Sequence, residues 1–65
     1  MATQLWRIGR VMEATGLARG VIYRLVERGE FPRQVKLTER TVAWPSDEVE
    51  KWISDRIESA REEGK

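Results

Sequence analysis

The sequence predicts a mostly α fold with a small β-hairpin, arranged as a winged helix-turn-helix. Three observations carry this. Two short amphipathic segments flank a glycine turn in "EATGLARGVIYRL", Glu13 to Leu25. Two runs of alternating residues follow, "VKL" (Val35 to Leu37) and "VAW" (Val42 to Trp44). A last segment from about residue 47 to residue 62 repeats its apolar residues at helical period.

The first helix is predicted near Arg10 to Thr15. Gly9 is its expected N-cap, and Val11, Ala14 and Thr15 form one inward stripe. Leu5, Trp6 and Ile8 precede it and are expected to pack in extended form against the body; whether residues 5–8 make a strand stays open. Gly16 supplies the stop, where a left-handed residue is wanted. The second helix is predicted over residues 18–28. Ile22, Leu25 and Val26 fall at i, i+3 and i+4 and form its buried face. Gly20, Arg24 and Glu27 lie opposite, with Tyr23 and Arg28 on the flanks. Gly29 ends this helix and Pro32 prevents its resumption.

The hairpin is predicted over residues 35–44, with "TERT" (Thr38 to Thr41) as its loop. In the expected register Leu37 opposes Val42 and Val35 opposes Trp44. All four then share one face, with Lys36 and Ala43 on the other. The last helix is predicted over residues 47–62, capped by Ser46. Asp47, Glu48 and Glu50 sit in its first turn, where the helix dipole favours negative charge. Val49, Trp52, Ile53, Ile57 and Ala60 make its apolar stripe, and the tail "REEGK" is expected to fray. Trp6, Trp44 and Trp52 sit at buried periods and are read as core.

Composition bounds the function. With 65 residues, a single domain over 1–65 is expected. Such a chain buries only about 60% of its unfolded surface. There is no cysteine and no histidine, which removes disulfides, thiol catalysis and the common zinc frameworks. No phosphate-gripping glycine loop is present either, so neither an enzyme nor a cofactor or metal is expected. No apolar run approaches the roughly 20 residues that span a bilayer. The start, "MATQLWRIGR", lacks the apolar stretch of a secretion signal. A soluble, cytoplasmic and nucleoid-associated protein is the expectation.

The net charge of +1 hides a split. Residues 1–46 carry eight Lys+Arg against four acids, a net of +4. Residues 47–65 carry four against seven, a net of −3. A basic front suggests a surface that faces a polyanion, although a solvated mixed surface has the same composition. In a helix-turn-helix the first helix braces the second, whose exposed face enters the major groove of DNA. An arginine there pairs with guanine O6 and N7 or meets phosphate. A basic hairpin behind it reaches the adjacent backbone or minor groove. The candidate DNA-binding residues are therefore Arg19, Gly20, Tyr23, Arg24 and Arg28 on the second helix, with Arg33, Lys36 and Arg40 on or beside the wing.

Over residues 7–57 the chain resembles the AlpA family of small phage and prophage transcriptional regulators, whose architecture is similar to excisionases and MerR-type domains. The resemblance rests on Val11, Thr15-Gly16-Leu17, Ile22-Tyr23-Arg24-Leu25 and Gly29. It continues through Phe31-Pro32, Val35-Lys36-Leu37, Trp44, Ser46, Glu48-Val49 and Trp52. It implies binding of double-stranded DNA by the second helix and the wing, and control of a mobile-element gene such as an integrase. One departure stands out. The family's usual turn reads Leu-Ser-Arg-Ser-Thr-Ile-Tyr, whereas here it is Leu17-Ala18-Arg19-Gly20-Val21-Ile22-Tyr23. Ala18 in place of the serine N-cap costs about 0.5–2 kcal/mol. Gly20 lets backbone approach DNA, and Val21 can meet a thymine methyl.

Bland readings stand beside these. Tyr23 is either a phosphate contact or a half-buried packing residue with a wet tip. Arg19 and Arg24 either contact DNA or are a solvated helix surface or a pairing to Glu27. An excisionase-like protein that bends DNA would share the fold. A protein-interaction module would use the acidic last helix to meet an integrase or polymerase subunit. One module is small, so a homodimer or cooperative binding at adjacent sites is expected.

Overall fold

A computed structural model of the chain describes residues 3–63. In chain order the elements are β1 (Leu5–Trp6), α1 (Ile8–Thr15), α2 (Arg19–Glu27), β2 (Val35–Thr38), β3 (Thr41–Pro45) and α3 (Ser46–Glu63). The three strands form one antiparallel sheet in the order β1-β3-β2. The chain is mostly α with a small wing-like sheet, an arrangement compatible with a winged helix-turn-helix.

The helix α1 begins two residues earlier than the sequence suggested. Gly9 lies inside it, and the N-cap is Arg7, without a side-chain capping bond. Ile8 explains the difference. It stands three and four residues before Val11 and Met12, and all three pack on the core, so the apolar stripe starts at Ile8. The helix ends as expected at Gly16, with φ 74°. The Thr15 hydroxyl donates to the Val11 carbonyl at 2.8 Å and accepts the Leu17 N–H at 3.2 Å. This pair of hydrogen bonds fixes the short turn through Leu17 and Ala18 into α2.

In α2, Ile22 and Val26 are buried and Leu25 is half-buried against the core, which is the predicted face. Its end is a paired terminus. Gly29, at φ 75°, donates to the Val26 carbonyl, and Glu30 donates to the Leu25 carbonyl. These are the two bonds of a Schellman motif, and a residue with a side chain is strained at Gly29.

The hairpin departs from its expected register in an instructive way. Next to the turn Thr38 pairs with Thr41, so the loop is the two residues Glu39 and Arg40 rather than four. The expected register continues this pairing. A bulge at Leu37 then shifts it by one residue, and Lys36 pairs with Val42 and Val35 with Ala43. Val35 and Leu37, expected on the core face, are instead 40% and 44% exposed. Ala43, expected on the outer face, is fully buried. The cause lies on the other side of β3. There Trp6 pairs with Trp44 and Leu5 with Pro45, and the Trp44 indole N–H donates to the Pro32 carbonyl at 2.8 Å. Trp44 is thus held by its pairing with Trp6 and by its indole bond to Pro32, and the register shift falls in β2.

Ser46 opens α3, but its hydroxyl serves the strand. It accepts the Gln4 N–H at 2.9 Å, while the Ser46 N–H donates to the Gln4 carbonyl at 2.7 Å. This pair of bonds latches the chain ahead of β1, so the expected helix-capping role belongs to a tertiary contact instead. Leu5 is on the exposed side of its short strand. The core gathers Trp6, Val11, Ile22, Val26, Phe31, Trp44 and Val49. Trp52 is only half-buried: it meets Phe31 edge-on at 4.8 Å, and its indole N–H donates to the Glu30 carbonyl at 2.7 Å. The outer half of α3 carries the stripe past the core, so Ile57 is 46% exposed and Ala60 is exposed too. Of the tail expected to fray, Arg61–Glu63 continue α3, and residues 64–65 lie outside the described residues.

Candidate nucleic-acid interface

The helix α2 starts with Arg19 immediately after Ala18, an N-cap that makes no side-chain bond. Its first turn carries no acid. By contrast, α3 begins with Ser46, Asp47 and Glu48. An uncapped N-terminus followed by arginine is an electropositive end, since the free N–H groups and the guanidinium have the same sign.

Arg19, Gly20 and Arg24 are exposed on α2, and Arg28, the residue that caps its C-terminus, is exposed too. A Cβ added at Gly20 meets nothing within 4 Å. Gly20 is helical, so no left-handed backbone requires glycine there. Tyr23 is half-buried, its ring edge-on to Trp44 at 5.9 Å, and the Arg19 guanidinium lies 6.0 Å from that ring. The packing reading of Tyr23 thus has direct support, and the residue is only partly buried.

Arg33, Lys36 and Arg40 are all exposed. Arg33 precedes β2, Lys36 is on it, and Arg40 stands in the hairpin turn. Arg33 and Lys36 come together on a groove of 330 Å³ between the end of α2 and the base of the hairpin, shared with Val26, Glu27, Gln34 and Val42. Arg40, at the tip, does not line it. Gln34 was not legible as a candidate, because it lies in the loop before β2, outside any helical or strand period.

Among the described residues the ion pairs are Arg10–Glu13 at 4.0 Å and Lys51–Asp55 at 3.0 Å. None involves Arg19, Arg24, Arg28, Arg33, Lys36 or Arg40, and Arg24 makes no ion pair with Glu27. Six cations on α2 and around the hairpin are therefore free to meet an anion.

Residues 4–57 match the family model described as "Prophage CP4-57 regulatory protein (AlpA)". A relative from Enterobacteria phage P4, "Uncharacterized protein ORF88", is 47% identical over 51 residues, which is 78% of this chain and 58% of that protein. The match thus spans less than two thirds of the relative's length. The family match takes in every candidate residue from Arg19 to Arg40 and the core that supports them. The chain belongs to the AlpA family of phage regulatory proteins.

Proposed function

We propose that this protein is a sequence-specific, double-stranded-DNA-binding transcriptional regulator. In this reading α2 lies in the major groove and the β2–β3 hairpin is a wing on the flanking backbone or minor groove. The observation that carries it is the unpaired state of Arg19, Arg24, Arg28, Arg33, Lys36 and Arg40 on a helix-turn-helix frame. The family's regulatory description supports the same reading. Affinity comes mainly from phosphate neutralisation, and specificity from a few contacts to base edges. The site of action is then the nucleoid. No helix among the described residues is long and apolar enough to cross a membrane.

The test is enrichment from a randomised duplex pool followed by titration. Wild type enriches a defined sequence, and replacing Arg19, Arg24 and Lys36 together with alanine abolishes binding while the fold is retained. No enrichment, or full binding by the triple variant, overturns the proposal.

A second reading, a protein-interaction module, has one observation in its favour. An apolar groove of 270 Å³ runs between the end of α1 and the outer half of α3, lined in part by Leu17, Trp52, Ile53 and Ile57. A second copy binding there would give the homodimer expected of so small a DNA-binding unit. Sedimentation of wild type and Ile57→Glu tests whether this groove is an interaction surface. A concentration-dependent dimer lost in the variant supports this reading, and a monomer throughout refutes it.

A further inference from the structure

The side-chain oxygen of Gln34, Oε1, is buried without a protein hydrogen-bond partner. It is the one such side-chain polar atom among the described residues. A carboxamide can rotate to exchange its oxygen and nitrogen, but that leaves a donor orphaned in place of an acceptor. Buried polar groups are normally paired, and an orphan destabilises the free protein. Its side chain would be better satisfied turned outward onto a donor.

What lies outward is the groove at the α2–wing junction. Its lining places Glu27 and Gln34 together, with Arg33 and Lys36 beside them. Glu27 is on the same helical stripe as Gly20 and Arg24, at i+7 and i+3, so it points where those residues point. The groove therefore has one exposed acceptor, the Glu27 carboxylate, and gains a second, the Gln34 carboxamide oxygen, when that side chain turns outward; two cations flank them. A phosphate alone does not match it, because Glu27 repels an anion at one end. An exocyclic amino group on a base edge does match: Watson–Crick pairing uses one of its N–H bonds and leaves the other in the major groove for an acceptor, with the phosphates of its own strand nearby. In the major groove such a group is adenine N6 or cytosine N4.

We infer that Gln34 is a specificity-determining residue: its carboxamide oxygen and the Glu27 carboxylate share, as acceptors, the one N–H that base pairing leaves free on the exocyclic amino group of an adenine or cytosine, while Arg33 and Lys36 hold adjacent phosphates. The inference rests on the DNA-binding reading above and adds a residue outside the recognition helix to it. On binding, the Gln34 side chain turns out of its buried position, so the orphaned oxygen of the free protein becomes a bonded one in the complex.

The experiment compares wild type with Gln34→Met, a variant of similar shape without the amide. The probe is the duplex that wild type enriches from a randomised pool. Each adenine is replaced in turn by purine, and each cytosine by 2-pyrimidinone, to delete one amino group at a time. At one position wild type loses about 5- to 150-fold in affinity, the span of a good base contact. Gln34→Met binds the unmodified duplex more weakly by a similar factor, is indifferent to the deletion at that position, and melts at or above the wild-type temperature. Which analogue acts identifies adenine or cytosine. If Gln34→Met does not fold, Glu27→Ala, at an exposed position, must show the same indifference at the same base. Unchanged affinity in Gln34→Met overturns the inference, and so does a wild type insensitive to every deletion. A wild type that enriches no duplex at all instead overturns the DNA-binding reading beneath it.

Discussion

Gly20→Ala separates stability from binding at a single methyl group. Gly20 is the second residue of α2, exposed and helical, and a Cβ there enters open space. Glycine in a helix is destabilising by roughly 0.5–1 kcal/mol relative to alanine, and nothing in the free protein opposes the substitution. At about 4–8 °C per kcal/mol for a domain of this size, the melting temperature rises by about 2–8 °C. If α2 lies with its Gly20 backbone against DNA, the same methyl is an overpacked atom in the complex. Overpacking costs about 1–3 kcal/mol, or about 5- to 150-fold in affinity. Thermal melting by circular dichroism and fluorescence anisotropy on a selected duplex measure both quantities on one sample. A higher melting temperature with unchanged affinity refutes close backbone approach at Gly20. A lower melting temperature refutes the account of the free helix.

Three further outcomes are expected. Ala18→Ser restores a capping hydroxyl to an α2 whose N-terminus has none, and stabilises the protein by about 0.5–2 kcal/mol in a urea titration. Ser46→Ala deprives the Gln4 N–H of its acceptor and destabilises by about 1–3 kcal/mol, with faster hydrogen exchange at Leu5 and Trp6 showing that β1 has loosened. A circular-permutation bending assay on the selected duplex separates a regulator from an excisionase-like architectural protein: a strong bend over clustered repeats favours the latter, and weak bending at a promoter the former.

The helices were legible because burial on a helix follows a period that the residues themselves display. Ile22, Leu25 and Val26 defined the inner face of α2, and Gly16 and Gly29 marked the two ends where φ is positive. The hairpin was less legible because a strand's period is only two, so one bulge moves every following side chain to the opposite face. The bulge at Leu37 answers to Trp44, whose position is set by Trp6 and Pro32, and neither contact is local in sequence. Ser46 misled for a related reason: its residue type suits a helix cap, but Gln4, 42 residues away, takes its hydroxyl. In the outer half of α3 the stripe through Ile57 and Ala60 identifies a face without saying what covers it. As for the candidate interface, cations on an exposed helix face and a basic hairpin can be read from spacing. The placing of Glu27 and Gln34 on one groove cannot, because it depends on how the loop from Gly29 to Gln34 folds back on α2.

The central claim is that α2 reads DNA, and Arg24 on its exposed face tests it most directly. The measurement is an anisotropy titration of wild type and Arg24→Ala over a range of salt concentrations, on the selected duplex and on a scrambled duplex of the same length. Wild type should bind the selected duplex with affinity that falls steeply with salt. A base contact predicts that Arg24→Ala loses about 1–3 kcal/mol on the selected duplex and much less on the scrambled one; a phosphate contact predicts uniform weakening and a salt slope reduced by about one. Binding that ignores salt, or an Arg24→Ala protein that matches wild type on both duplexes, would contradict the account.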